Sequence, residues 1–142
     1  MRPLITLCYG ISLLSLSGCG GSGDLPELGL VTGVVTLDGE PLANATVLFH
    51  PTDGGTRGGA GKTDENGAYE LMYNRSTAGT AIGECEVYIT TYSDEVYDES
   101  GEKLIEEERP ELVSADFNDN TTLTANVELG KNVFDFEVSR RE

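Results

Sequence analysis

The sequence predicts an all-β protein built as a single sandwich, on three observations. Apolar and polar residues alternate at period two in several short runs. Turn-forming residues separate those runs. Gly occurs 18 times in 142 residues, a density that turns use and helix interiors disfavour. The length fits one domain. With no Trp and four Phe, the core must come from Val, Leu and Ile with a few rings.

The chain opens with an export pattern. Arg2 supplies a positive start, and residues 4–16 are largely apolar but too short to span a bilayer, which takes about 20 residues. Leu16-Ser17-Gly18-Cys19 follows directly and resembles the lipobox of bacterial lipoproteins. In that motif small residues admit the peptidase, and the Cys thiol takes the diacylglyceryl group. Residues 1–18 are therefore expected to be a signal peptide and Cys19 the lipidated first residue of the mature protein. Two or three acyl chains anchor stably, because each buried CH₂ contributes about 0.8 kcal/mol. Gly20 stands where an inner-membrane retention Asp often sits, which leans toward the outer membrane. Residues 19–29 read as a small, polar, flexible tether.

The domain is expected over residues 30–138. Val31, Gly33, Val35 and Leu37 alternate with polar neighbours, and Asp38-Gly39-Glu40-Pro41 is a turn. Ala45, Val47 and Phe49 form the next inward set, so the two runs predict a hairpin with Asp-Gly at its tip. Residues 51–61 are a Gly-rich loop, and residues 63–67 are a turn into Tyr69-Glu70-Leu71. Cys85, Val87 and Ile89 then point inward, with Glu84, Glu86 and Tyr88 outward. Late in the chain, Leu123, Ala125, Val127 and Leu129 form an inward set. Gly130-Lys131-Asn132 reads as a turn, and Phe134, Phe136 and Val138 close the pattern.

Residues 93–111 interrupt this pattern with nine acids against Lys103 and Arg109. Self-repulsion predicts a solvated segment or a short helix around residues 102–108. The whole chain has 9 bases and 25 acids, a net of −16. Loss of Arg2 with the signal leaves 8 bases and 25 acids, or −17. That charge excludes nucleic acid as a partner and disfavours docking on anionic lipid.

The stretch from Gly33 through Asp38-Gly39-Glu40-Pro41-Leu42-Ala43-Asn44-Ala45 to Val47 resembles the opening of carboxypeptidase regulatory-like domains. Their Thr-Asp-x-x-Gly-x-Tyr hallmark is matched by Thr63, Asp64, Gly67 and Tyr69. Residues 123–138 resemble the C-terminal half of short lipoproteins of the planctomycete type. The resemblance implies a transthyretin-like sandwich of about seven strands in Greek-key order. It also implies an accessory or binding module, and it assigns no active site.

Other motifs resemble sites of known chemistry. Arg57-Gly58-Gly59-Ala60-Gly61-Lys62-Thr63 looks like a phosphate loop, but Thr56 stands where the first Gly belongs and a turn follows where a helix is needed. Asp116, Asn118 and Asn120 have the oxygen spacing of a calcium loop without its later Gly and Glu, so they read as calcium candidates or as turn formers. His50 is the only His, which argues against zinc. Cys8 leaves with the signal and Cys19 is lipidated, so Cys85 has no disulfide partner and reads as a buried core residue. A transthyretin-fold hydrolase of 5-hydroxyisourate needs more than one His and a Tyr-Arg-Gly-Ser terminus, and this chain ends Val138-Ser139-Arg140-Arg141-Glu142.

The expected function is a non-enzymatic envelope lipoprotein with no cofactor, facing the periplasm or held at the outer membrane. Its role is structural or protein-interacting. The alternative is an extracytoplasmic ligand-binding module, for carbohydrate or calcium-dependent, with Tyr88, Tyr92 and Tyr97 as the candidate ring platform.

Overall fold

In the computed structural model, residues 25–54 and 56–142 are described. The first strand, β1 (Leu28–Leu37), is the hub of one six-stranded sheet. Along one edge it pairs in parallel with β13 (Gly130–Val133) and then β14 (Phe136–Val138). Its other edge pairs antiparallel with β8 (Thr80–Ala81), β5 (Ala68–Glu70) and β2 (Glu40–Pro41). A second six-stranded sheet runs in the order β12 (Thr124–Val127), β9 (Gly83–Thr90), β3 (Thr46–Pro51), β4 (Ala60–Lys62), β6 (Met72–Asn74) and β7 (Thr77–Ala78). A two-stranded ribbon, β10 (Val96–Tyr97) with β11 (Leu104–Glu106), completes the fold.

The protein is all-β, with one 3-10 turn at Ala115–Phe117 among the described residues. No helix among them is long and apolar enough to cross a membrane. The inward set of each period-two run meets the other sheet's set in one core. Val31, Val35, Leu37, Tyr69 and Val138 come from the first sheet, and Val47, Phe49, Cys85, Val87, Ile89, Ala125 and Val127 come from the second. Alternation decides this, because successive side chains point to opposite faces of a strand. Fully burying a Val, Leu, Ile or Phe side chain contributes about 1.5–3 kcal/mol. Strand β1 begins at Leu28, inside the stretch expected to be tether, because Leu28 and Gly29 pair with Ala81 and Thr80.

Three local expectations are corrected. Asp38 and Gly39, at φ 50° and 87°, do form the tight turn, but it returns only β2 onto β1. The chain then crosses at Asn44 (φ 57°) to the facing sheet, where β3 pairs with β9 and β4. Pro41 lacks the N–H needed to prolong the first ladder. Alternation had shown which way Val47 and Phe49 face, and not which strand they pair with.

Gly130-Lys131-Asn132 lies in strand β13 and is not a turn. The reversal falls just before it, held by the Asn132 amide. Its Oδ1 accepts the Glu128 N–H at 3.0 Å, and its Nδ2 donates to the Glu128 carbonyl at 2.8 Å and the Leu30 carbonyl at 3.0 Å. Leu129, expected inward, is 63% exposed at this sheet-to-sheet crossing.

The acidic segment forms the β10–β11 ribbon, with no helix at residues 102–108. Its tip folds around Asp98, whose Oδ1 accepts the Ser100 hydroxyl at 2.6 Å and the backbone N–H groups of Ser100 and Glu102. These bonds, the Ser100 hydroxyl first, hold the Asp98 carboxyl below its ordinary range. The like-charge pair Glu102 and Glu106, four residues apart, disfavours a helix, whereas Val96, Tyr97 and Ile105 favour strands. An antiparallel bridge between Ser93 and Arg109 closes the ribbon's root. Replacing residues 94–108 with an Asn-Gly turn should therefore leave the domain folded. Thermal unfolding should stay cooperative, and a broadened transition would show that the ribbon supports the core.

Candidate functional site: a groove on the outer face of the second sheet

Strands β3 and β9 build the site. Their inward residues fill the core, so Leu48, His50, Tyr88 and Thr90 face out. Leu48 and Tyr88 are direct cross-strand partners, and Leu48 is 40% exposed. They divide two adjoining hollows. One, of about 560 Å³, is lined by Leu48, Tyr88, Thr90, Tyr92, Glu111 and Arg141. The other, of about 520 Å³, lies between Leu48, Tyr88, His50 and Arg57. Together they make an open amphipathic groove with a guanidinium at either end.

The phenols are held by carboxylates. Tyr88 donates to Glu86 Oε2 at 2.8 Å, and Tyr92 donates to Asp94 Oδ1 at 2.6 Å. Those hydrogen bonds raise both phenol pKa values. Tyr97 does not join them. It sits on the ribbon, its O–H donated to Glu95 at 2.7 Å.

Glu111 anchors the ribbon's return to the domain. Its carboxylate accepts the Thr90 hydroxyl, the Thr91 N–H at 3.0 Å and the Val113 N–H at 3.0 Å. Partial burial pushes its pKa up, but these bonds outweigh it and hold the carboxyl below the usual range. In the sequence Glu111 is one more acid of the insertion. Only its tertiary partners distinguish it.

The calcium candidates are spread through a turn. Asn118 is buried, and its Nδ2 donates to the carbonyls of Ile89 at 3.2 Å, Ser114 at 3.3 Å and Val113 at 3.5 Å. Its Oδ1 accepts the Asp119 N–H at 2.8 Å. Asp116 is exposed and takes a long 3.5 Å contact from Ser114 Oγ, and Asn120 is exposed with its backbone N–H on the Ala115 carbonyl. Among the described residues no group of three or more His, Cys, Asp or Glu side chains could hold a metal. Asn118 thus plugs the 3-10 turn onto β9. Asn118→Ala should cost about 1–3 kcal/mol by orphaning buried carbonyls. Urea unfolding should show that loss equally with and without millimolar calcium. A calcium-dependent rise in the wild-type melting temperature, absent in the variant, would instead make Asn118 a ligand.

His50 and Cys85 face opposite sides of the second sheet. His50 is exposed, while Cys85 is fully buried and follows the inward set. Burial, with Asp53 and Glu84 adding to it, pushes the Cys85 thiol up to about 11. A protonated thiol behind the sheet does not pair with that imidazole.

The glycines of the phosphate-loop look-alike serve packing. A Cβ on Gly58 would overlap the Phe49 carbonyl, and one on Gly61 would overlap the Glu70 carbonyl. The segment runs into β4 and a turn, where the motif needs the N-terminus of a helix.

Cys19 and the rest of residues 1–24 lie outside the described residues. No protein-family model, curated protein or solved structure matches the chain.

Proposed function

We propose that this protein is a lipid-anchored cell-envelope module that acts by binding other proteins and not by catalysis. The observation that carries the reading is the ribbon. Tyr97 and Leu104, direct cross-strand partners, are 47% and 40% exposed, and Val96 and Ile105 beside them in sequence are 41% and 59% exposed, on a two-stranded element with carboxylates around it. Exposed apolar side chains paired across strands and rimmed by polar groups are the kind of surface that partners cover. The acids favour a partner with basic groups around an apolar centre. The anchor rests on Leu16-Ser17-Gly18-Cys19 directly after the apolar run.

A second reading has its own support. Tyr88 and Tyr92 line one groove beside Leu48, an arrangement suited to stacking on a sugar ring. A glycan array probed with the full chain separates the two, since binding lost on Tyr88→Ala would favour the groove over the ribbon.

The anchor is tested by labelling cells with an alkyne fatty acid. Cys19→Ala should abolish the label and leave unprocessed or mislocalised precursor. If the variant still takes up the label, or is processed to the size of the wild type, the anchor reading is overturned.

A further inference from the structure

The two ends of the domain differ in character, and the chain enters at one of them. Strand β1 starts at Leu28, nine residues after Cys19. At about 3.3–3.6 Å per residue that segment reaches no more than about 30 Å. Around the start of β1, three chain segments outside the strand each bring an exposed apolar side chain. Leu25 is 57% exposed and just precedes the strand. Ile82, 36% exposed, donates its N–H to the Glu27 carbonyl at 3.2 Å. Leu129, the 63%-exposed residue of the crossing, adjoins Gly130, which pairs with Gly29. Three different loops therefore bring apolar side chains to the end where the tether attaches.

The acidic ribbon occupies the other end. Strand β9 runs from Gly83, beside Ile82, to Thr90, and the ribbon's root at Ser93 and Arg109 follows. Residues 94–108 carry eight acids and one base, Lys103, a net of −7.

Resting on the anchor reading above, we propose that Leu25, Ile82 and Leu129 form a membrane-contact surface that seats this end of the domain in the headgroup layer of the bilayer holding Cys19, with the ribbon directed away. The short tether keeps the patch at high effective concentration beside lipid, so a weak apolar contact suffices. Among the described residues, Glu27, Glu84 and Glu128 lie within two positions of the patch's members, with Lys131 the one base so placed, so the surface it fits is zwitterionic and not anionic. Tipping the domain over would bring the ribbon's charge toward the headgroups and out of water, which opposes the reverse orientation.

The test uses the full lipidated chain in phosphatidylcholine vesicles containing doxyl-labelled lipid. A fluorophore is placed on Leu129→Cys or, at the ribbon tip, on Ser100→Cys. Cys85 is buried and stays unlabelled. Quenching at position 129 should exceed that at position 100 several-fold. It should fall at least twofold with Leu25→Ser and Ile82→Ser combined, and fall when phosphatidylglycerol is added. Equal quenching at both positions, or none at either, with the mass of the N-terminal peptide showing lipid on Cys19, overturns the proposal and leaves the anchor standing. Fluorophore self-quenching at position 129 in the absence of doxyl lipid would put a second copy on the patch and overturn it as well. A peptide mass without lipid removes the anchor, and this proposal with it.

Discussion

Replacing Phe49 with Ala should lower stability by about 3–5 kcal/mol, the usual range for emptying a buried phenylalanine site. Phe49 is 2% exposed and belongs to β3 of the second sheet. Its ring meets Phe134, in the link between β13 and β14, at 5.8 Å and Phe136, in β14 of the first sheet, at 6.2 Å. The tilted and edge-on arrangements suit ring quadrupoles and add about 0.5–1.5 kcal/mol per pair beyond burial. Truncation therefore removes a ring that bridges the two sheets and leaves a cavity between them. Domains of this size are stable by only about 5–15 kcal/mol, so the variant should unfold at a much lower urea concentration. Far-ultraviolet circular dichroism measures the midpoint, since the chain has no Trp. Leu48→Ala, next in sequence but on the outer face, should shift it by less than about 1 kcal/mol. Equal losses for the two variants would mean that the inward and outward sets are misassigned.

Gly33→Val should be more damaging, with little soluble folded protein recovered. A Cβ at Gly33 would overlap the Phe134 carbonyl and approach the Tyr69 ring at 2.9 Å. That carbonyl is also the acceptor for the Tyr69 hydroxyl at 2.6 Å, and the Phe134 N–H donates to Thr32. Backbone and ring thus close over Gly33 where β13 gives way to β14. Overpacking a full core position costs about 1–3 kcal/mol, and displacing a backbone that carries paired hydrogen bonds adds to this. Val34→Thr, one residue on and 37% exposed, is the control and should express normally. Soluble yield and melting temperature measure both variants. A folded Gly33→Val protein of near-native stability would overturn the close approach. The sequence presented Gly33 only as a gap in an inward apolar run, and nothing local could show that another strand's backbone passes there.

Much of the architecture was legible because β alternation is a local property. Val31, Val35, Val47, Phe49, Cys85, Val87 and Ile89 were all placed inward from period two, and all are buried. Asp38-Gly39 was read as a turn because its chemistry is contained in two residues. Strand partners are not a local property. The crossing at Asn44 sent β3 to the facing sheet, Leu129 was exposed by a reversal between sheets, and the acids around residue 102 joined a ribbon. The groove was partly legible: Tyr88 and Tyr92 were named, but Leu48, Glu111 and Arg141 came to them from distant parts of the chain.

By itself the sequence determined that the chain is all-β, which residues face the core, that the charge is strongly negative, and that a lipobox-like motif precedes the domain. Those follow from composition and from intervals of a few residues. Tertiary structure decided strand pairing, the grooves, the Asn118 plug and the separation of an apolar end from an acidic one. Each of these depends on contacts between residues tens of positions apart, and burial and backbone hydrogen bonding across the whole domain settle which of the locally permitted pairings is formed.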